Sequence, residues 1–326
     1  MRFFGVRAQG PDMMSPFHRY LAEEVALDHV EGLIPRREAL RRLGLLGLGL
    51  PAATALLAAC GAPEQSATTT AAPTSPAATP ATTPATAAPS PTGSPAGPSP
   101  LPTEAITFAG PEGSTLRGAW AEAAEAKGAV LVIHENRGLN DHTRSVAGRL
   151  AAAGYSALAL DLLSRDGGTE AFPDTAQATA KLGEIRPEQF VADMKAALGE
   201  IAGRAEGAKL GMIGFCFGGG MTWLLLASDE PRLAAAAPFY GPLPGGADLT
   251  GTQAAVLGVY AEQDDRVNAT RDAARAALEK AGLTHEIVTF AGAGHAFFND
   301  TGQRYNPQAA AEAWEKVTAW FETHLA

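Results

Sequence analysis

The sequence predicts a single α/β domain on a mostly parallel, doubly wound sheet with flanking helices. Short apolar runs recur through residues 104–326 without polar alternation, as in Ala129–His134, Ser156–Leu160 and Leu210–Gly214. Such runs suit strands buried on both faces. Segments of helical spacing separate them, which implies crossover connections. The stretch is 223 residues long, enough to bury one substantial core.

In chain order, Ile106–Phe108 and Thr115–Trp120 are weaker, more polar strands that predict an antiparallel edge. Ala129–His134 is a buried strand, Arg144–Ala153 a helix ended by Gly154, and Ser156–Leu160 the next strand. Ser164–Ile185 reads as a selectivity loop, and Gly167-Gly168 give it the freedom of a lid. Glu188–Ile201 has helical spacing after Pro187, a favourable first-turn residue. Leu210–Gly214 is a strand and Gly219–Ala227 a helix. Ala234–Phe239, Ala255–Tyr260 and Glu286–Phe290 complete the strands; Thr270–Ala281 and Pro307–Leu325 complete the helices.

The rest of the chain differs in composition. Residues 61–103 are almost entirely Ala, Thr, Pro, Ser and Gly, a low-complexity spacer that cannot bury a core. Residues 1–60 read as a leader. The basic cluster Arg36–Arg42 precedes an uncharged run, Leu43–Ala59, and then Leu57-Ala-Ala-Cys60. A charged region, an apolar region and small residues at a processing point describe a secretory signal. Arg36-Arg37 resembles the twin-arginine signal, with Pro35 and Ala39 as departures, and Leu57–Cys60 resembles a bacterial lipobox with Cys60 as the lipidated residue. The expectation is an exported cell-envelope lipoprotein, tethered by a lipid anchor to the outer side of the cytoplasmic membrane. The uncharged run of 17 residues falls short of the roughly 20 a spanning helix needs.

The chain carries 25 Lys+Arg against 35 Asp+Glu, net −10, and the whole excess lies in residues 104–326. That argues against a nucleic-acid binder. Two cysteines, Cys60 and Cys216, exclude a disulfide scaffold and a four-cysteine zinc site.

In parallel α/β sheets, sites gather at the carboxyl ends of strands. After Leu210–Gly214 comes Gly214-Phe-Cys216-Phe-Gly218-Gly219, a cysteine version of the nucleophile elbow. The following helix points its N-terminus at Cys216, and the Phe217 N–H points where an oxyanion forms. After Ala255–Tyr260 the loop carries Asp264 and Asp265, either of which can orient an imidazole. After Glu286–Phe290, His295 follows Ala-Gly-Ala-Gly. Cysteine, acid, histidine is the α/β-hydrolase order. Glu135 ends a buried strand at this edge, so its charge must meet a partner there, with Arg137 and Arg144 as candidates for a structural ion pair.

On these residues the domain resembles the dienelactone hydrolase family. The carrying pieces are Ile133–Asn140, Asp161-Leu-Leu163, Gly214–Gly219, Asp264–Val267 and Gly294–Asn299. The resemblance implies an α/β-hydrolase fold and, with its acid three before a valine, selects Asp264 over Asp265. It implies that Glu135 touches the resting cysteine, and that the Asn136 N–H is the second oxyanion donor. Members that cleave dienelactone hold its carboxylate with two arginines. One lies four after the histidine, where this chain has Asn299; the other lies after the Asp161 strand, where Arg165 and Arg186 stand.

The expected function is hydrolysis of a small-molecule carboxylic ester or lactone through a Cys216 acyl-enzyme, without metal or organic cofactor. The alternatives are a tethered binding protein with weak catalysis, or a thioesterase or cysteine peptidase on the same fold.

Overall fold

The apolar runs form one eight-stranded sheet. The computed structural model describes residues 15–60 and 94–326. Its strands are β1 (Glu104–Ala109), β2 (Thr115–Ala121), β3 (Gly128–Ile133), β4 (Tyr155–Leu160), β5 (Leu210–Phe215), β6 (Leu233–Phe239), β7 (Ala255–Gln263) and β8 (His285–Gly294). Their spatial order is β1-β2-β4-β3-β5-β6-β7-β8. From β4 to β8 every neighbour is parallel. β2 runs antiparallel to β4, and β1 antiparallel to β2, so the expected antiparallel edge is present. Every residue of β3, β4 and β5 is buried, which is why those segments do not alternate.

The helices are α1 (Pro16–Val30), α2 (Arg36–Leu45), α3 (Leu50–Cys60), α4 (Asp141–Ala152), α5 (Thr175–Glu184), α6 (Pro187–Arg204), α7 (Phe217–Leu226), α8 (Asp265–Asn268), α9 (Arg271–Lys280) and α10 (Pro307–Leu325). The stretch expected as a loop, Ser164–Ile185, contains α5. Its small, alanine-rich sequence hides the apolar period, but Asp174 caps it by accepting from the Gln177 N–H at 2.9 Å.

The largest difference from the sequence reading lies at the N-terminus. Residues read as a leader fold against the domain. Ser15 caps α1, accepting from the His18 N–H at 3.1 Å, and Pro16 occupies its first turn. Phe17, Tyr20, Leu21, Glu24, Val25 and Asp28 make one buried face at helical spacing. Burying Phe17, Leu21 and Val25 contributes about 1.5–3 kcal/mol each. Phe17 meets Phe217 edge-on, with ring centres 6.0 Å apart. Ala39 and Leu43 of α2, and Ala53 and Leu57 of α3, join the same core. Cys60 ends α3, exposed and unbridged. Among the described residues no helix is long and apolar enough to cross a membrane.

The spacer also ends earlier than its composition suggests. Ala96 is buried and its carbonyl accepts from Arg149 at 2.6 Å, while Leu101 N–H bonds the Gly148 carbonyl. The remainder of the spacer, residues 61–93, lies outside the described residues.

Candidate active site

Four strand ends carry the chemistry-bearing residues to one place. β3 leads into Glu135 and Asn136, β5 into Cys216, β7 into Asp264 and β8 into His295. All but Asn136 are buried.

Cys216 has φ 56° and ψ −115°, a strained conformation for a side-chain-bearing residue. The chain can turn so sharply from β5 into α7 because its neighbours are glycines. A Cβ on Gly214 would lie 2.1 Å from the Gly218 carbonyl oxygen, and one on Gly218 would lie 2.5 Å from that of Ile133. Tyr240 and Ala296, beside the same site, also have positive φ, of 34° and 60°. The elbow leaves Cys216 as the N-cap of α7, so the Phe217 N–H has no acceptor within the helix.

Asp264 serves two donors. Its Oδ1 accepts from the Val267 N–H at 3.3 Å, which caps α8, and its Oδ2 lies 2.6 Å from His295 Nδ1. The cap explains why the acid stands three before a valine. Asp265 is exposed, so the pair left open by the sequence resolves to Asp264 on geometry. His295 Nε2 makes no hydrogen bond among the described residues, and Cys216 Sγ lies within 4.8 Å of it. Burial alone would push the His295 pKa down, but the Asp264 carboxylate and the Cys216 sulfur outweigh it and lift the value to about 9. The proton held there contributes stability that is complete below the unfolded value of 6.5 and is lost as pH rises through about 9. Asp264→Asn removes the main attraction, so the His295 midpoint, read by NMR, is expected to fall from about 9 toward 6.5. An unchanged midpoint would show that Asp264 does not set it.

Glu135 departs from what the resemblance implies. Its Oε2 accepts from Asn299 Nδ2 at 2.7 Å, and its Oε1 has no hydrogen-bond partner among the described residues. The Cys216 thiol is partnered instead by two residues of α1: Tyr20 Oη at 3.3 Å and Glu24 Oε2 at 3.9 Å. Glu24 Oε1 also lies 3.4 Å from His295 Nε2 and pairs with Arg266. Neither ion pair considered for Glu135, with Arg137 or Arg144, occurs among the described residues; a neutral amide holds it. Tyr20 and Glu24 escaped the sequence reading because they precede a signal-like segment. The apolar period of 17, 20, 21 and 25 was the available signal.

A cavity of about 300 Å³ opens on this site, bordered by Glu24, Asn136, Cys216, His295, Asn299 and Arg304. Asn136 is anchored through its carbonyl, which accepts from Thr179 of α5 at 2.7 Å. Arg165 is tied to Asp193 by bonds of 2.6–3.1 Å, and neither it nor Arg186 lines the cavity. Glu24, Cys216 and His295 present donor atoms within 4.8 Å of one another. Chemically, the site offers a sulfur, an imidazole oriented by a carboxylate, and helix N–H groups.

Comparison with known proteins agrees with this architecture. The family model described as "Dienelactone hydrolase family" matches residues 116–325. A protein of Methylorubrum extorquens, named "Putative carboxymethylenebutenolidase", is 34% identical over 212 residues, covering 60% of this chain and 72% of its own. The solved structure of a "Putative Dienelactone Hydrolase" from Klebsiella pneumoniae superposes with a TM-score of 0.60 at 30% identity, over 69% of this chain and 100% of that one. A dienelactone hydrolase from Anabaena variabilis shares the fold, with a TM-score of 0.57 at 21% identity over 70% of this chain and 100% of that one. With a family model matched from β2 through α10, and so over all four strand ends, this chain belongs to the dienelactone hydrolase family.

Proposed function

We propose that the protein hydrolyses a small carboxylic ester or lactone through a covalent acyl-enzyme on Cys216. The observation that carries this reading is the convergence on one cavity of the strained Cys216 elbow and the His295–Asp264 pair.

The Cys216 sulfur, its proton held on His295 Nε2, attacks the carbonyl carbon. The carbonyl oxygen takes the negative charge, facing the N–H groups of Phe217 and Asn136. The C–O bond then breaks, and His295 delivers its proton to the leaving alkoxide. In the second half, neutral His295 draws a proton from water, which attacks the thioester and releases the acid; the sulfur departs and the proton stays on His295. Asp264, 2.6 Å from Nδ1, holds the ring in the useful tautomer and favours its cation. The names of the relatives support an ester or lactone as substrate, and the cavity of about 300 Å³ suits a small molecule better than a folded polypeptide.

The test is to quench the enzyme during turnover of p-nitrophenyl acetate and map the acetyl group by peptide mass spectrometry. The expected result is an adduct on the peptide carrying Cys216. Turnover with no adduct at that cysteine, at any quench time, would remove the proposal.

A further inference from the structure

The reading of Cys216 as nucleophile leaves unexplained why a helix 196 residues earlier in the chain ends its buried face on that sulfur. α1 places three residues on the elbow in successive turns. Phe17 packs on Phe217, the residue after the cysteine. Tyr20 brings its hydroxyl to 3.3 Å from Sγ. Glu24, one turn on, is buried with its carboxylate against Arg266, whose guanidinium centre also lies 4.1 Å above the Tyr20 ring. A buried carboxylate needs a partner of this kind. The Glu24–Arg266 pair thereby sets the register of α1, and residues four apart share a face, so the register that satisfies Glu24 also delivers Tyr20 to the sulfur.

We infer that α1 is a working part of the reaction centre, in which Tyr20 donates the hydrogen bond that steadies the Cys216 sulfur once its proton has left. This inference rests on the nucleophile reading above. A hydroxyl and a thiol can each donate while both are protonated. After the thiol proton passes to His295, only the phenol has a hydrogen to give, and a bond from O–H to an anionic sulfur is charge-assisted. Burial, and then the neighbouring Cys216, hold the Tyr20 phenol well above its ordinary pKa, so it remains a donor. Besides Tyr20, the titratable groups around this sulfur are Glu24, His295, Asp264, Tyr240 and Glu135, and Arg266 sits beyond Glu24. A chain cut before Cys60 lacks Tyr20 and Glu24 altogether. Processing at a lipobox and participation of α1 in catalysis are therefore mutually exclusive in one mature molecule.

The experiment uses the full chain, its N-terminus checked by intact mass, as wild type, Tyr20→Phe and Cys216→Ala. Tyr20→Phe keeps the ring beneath Arg266 and removes only the hydroxyl. The pH midpoint of Cys216 alkylation by iodoacetamide is expected to rise by about one unit, and kcat for p-nitrophenyl acetate to fall about tenfold with KM within about twofold. Wild-type alkylation and kcat in Tyr20→Phe, beside an inactive Cys216→Ala, overturn the role of Tyr20 and leave the nucleophile reading standing. Activity surviving in Cys216→Ala overturns the nucleophile reading, and this inference with it. A mature chain that begins at Cys60 and keeps the full-length kcat also overturns the role of α1.

Discussion

Cys216→Ala is expected to lower kcat/KM for p-nitrophenyl acetate by on the order of 10⁴-fold or more, with the fold intact. The alanine loses one sulfur atom from a buried position and leaves the elbow, the His295–Asp264 pair and the N–H groups in place. What remains is binding and oxyanion stabilisation, which in hydrolases of this logic leaves only a residual rate. Far-ultraviolet circular dichroism and the thermal midpoint should stay near wild type, so that the loss reads as chemistry. A loss of less than about tenfold would mean that the sulfur is not the attacking atom. His295, raised to about 9 in the presence of the sulfur, should then titrate lower in the alanine protein, because one of its stabilising neighbours is gone.

Gly214→Ala should act on the fold itself. A methyl there meets the Gly218 carbonyl oxygen at 2.1 Å and Thr222 Oγ1 at 2.5 Å, contacts that no rotamer change relieves because the first is backbone. β5 and the first turn of α7 must separate, opening the tight turn that presents Cys216. The expected cost is about 3 kcal/mol or more in urea unfolding, with loss of esterase activity. Gly203→Ala is the control. It lies in α6 with no heavy atom beyond its own helix backbone within 4 Å of the added carbon, so the same chemical change there is neutral or stabilises by up to about 1 kcal/mol. Equal stability of the two variants would show that the elbow is looser than its geometry indicates.

Much of this arrangement was legible in the chain before folding. The buried strands announced themselves because a strand covered on both faces needs no polar positions, and β3, β4 and β5 have none exposed. The elbow was legible because glycines at 214 and 218 answer a steric demand that other residues cannot meet. Asp264 and Asp265 were not separable from the residues alone. Which of two adjacent side chains points inward depends on the cap of a four-residue helix, α8. Helix α5 went unseen because its apolar face is made of alanines, whose burial depends on α1 and α2 lying across it.

The sequence by itself determined the sheet, the strand ends and the order cysteine, acid, histidine, because apolar period and glycine chemistry are local properties. It also carries the leader-like pattern of residues 1–60, which remains a pattern of sequence. Only the tertiary structure decided which residues touch the sulfur. Tyr20 and Glu24 are 196 and 192 residues from Cys216 along the chain, and no local rule pairs them. They meet it because α1 has an apolar face to bury and Glu24 a charge that Arg266 satisfies, and the placement that meets both demands brings Tyr20 and Glu24 to the thiol. The same holds for Glu135, whose partner Asn299 is 164 residues away. Contacts of this kind are set by packing of elements formed independently, and become definite only when those elements share one core.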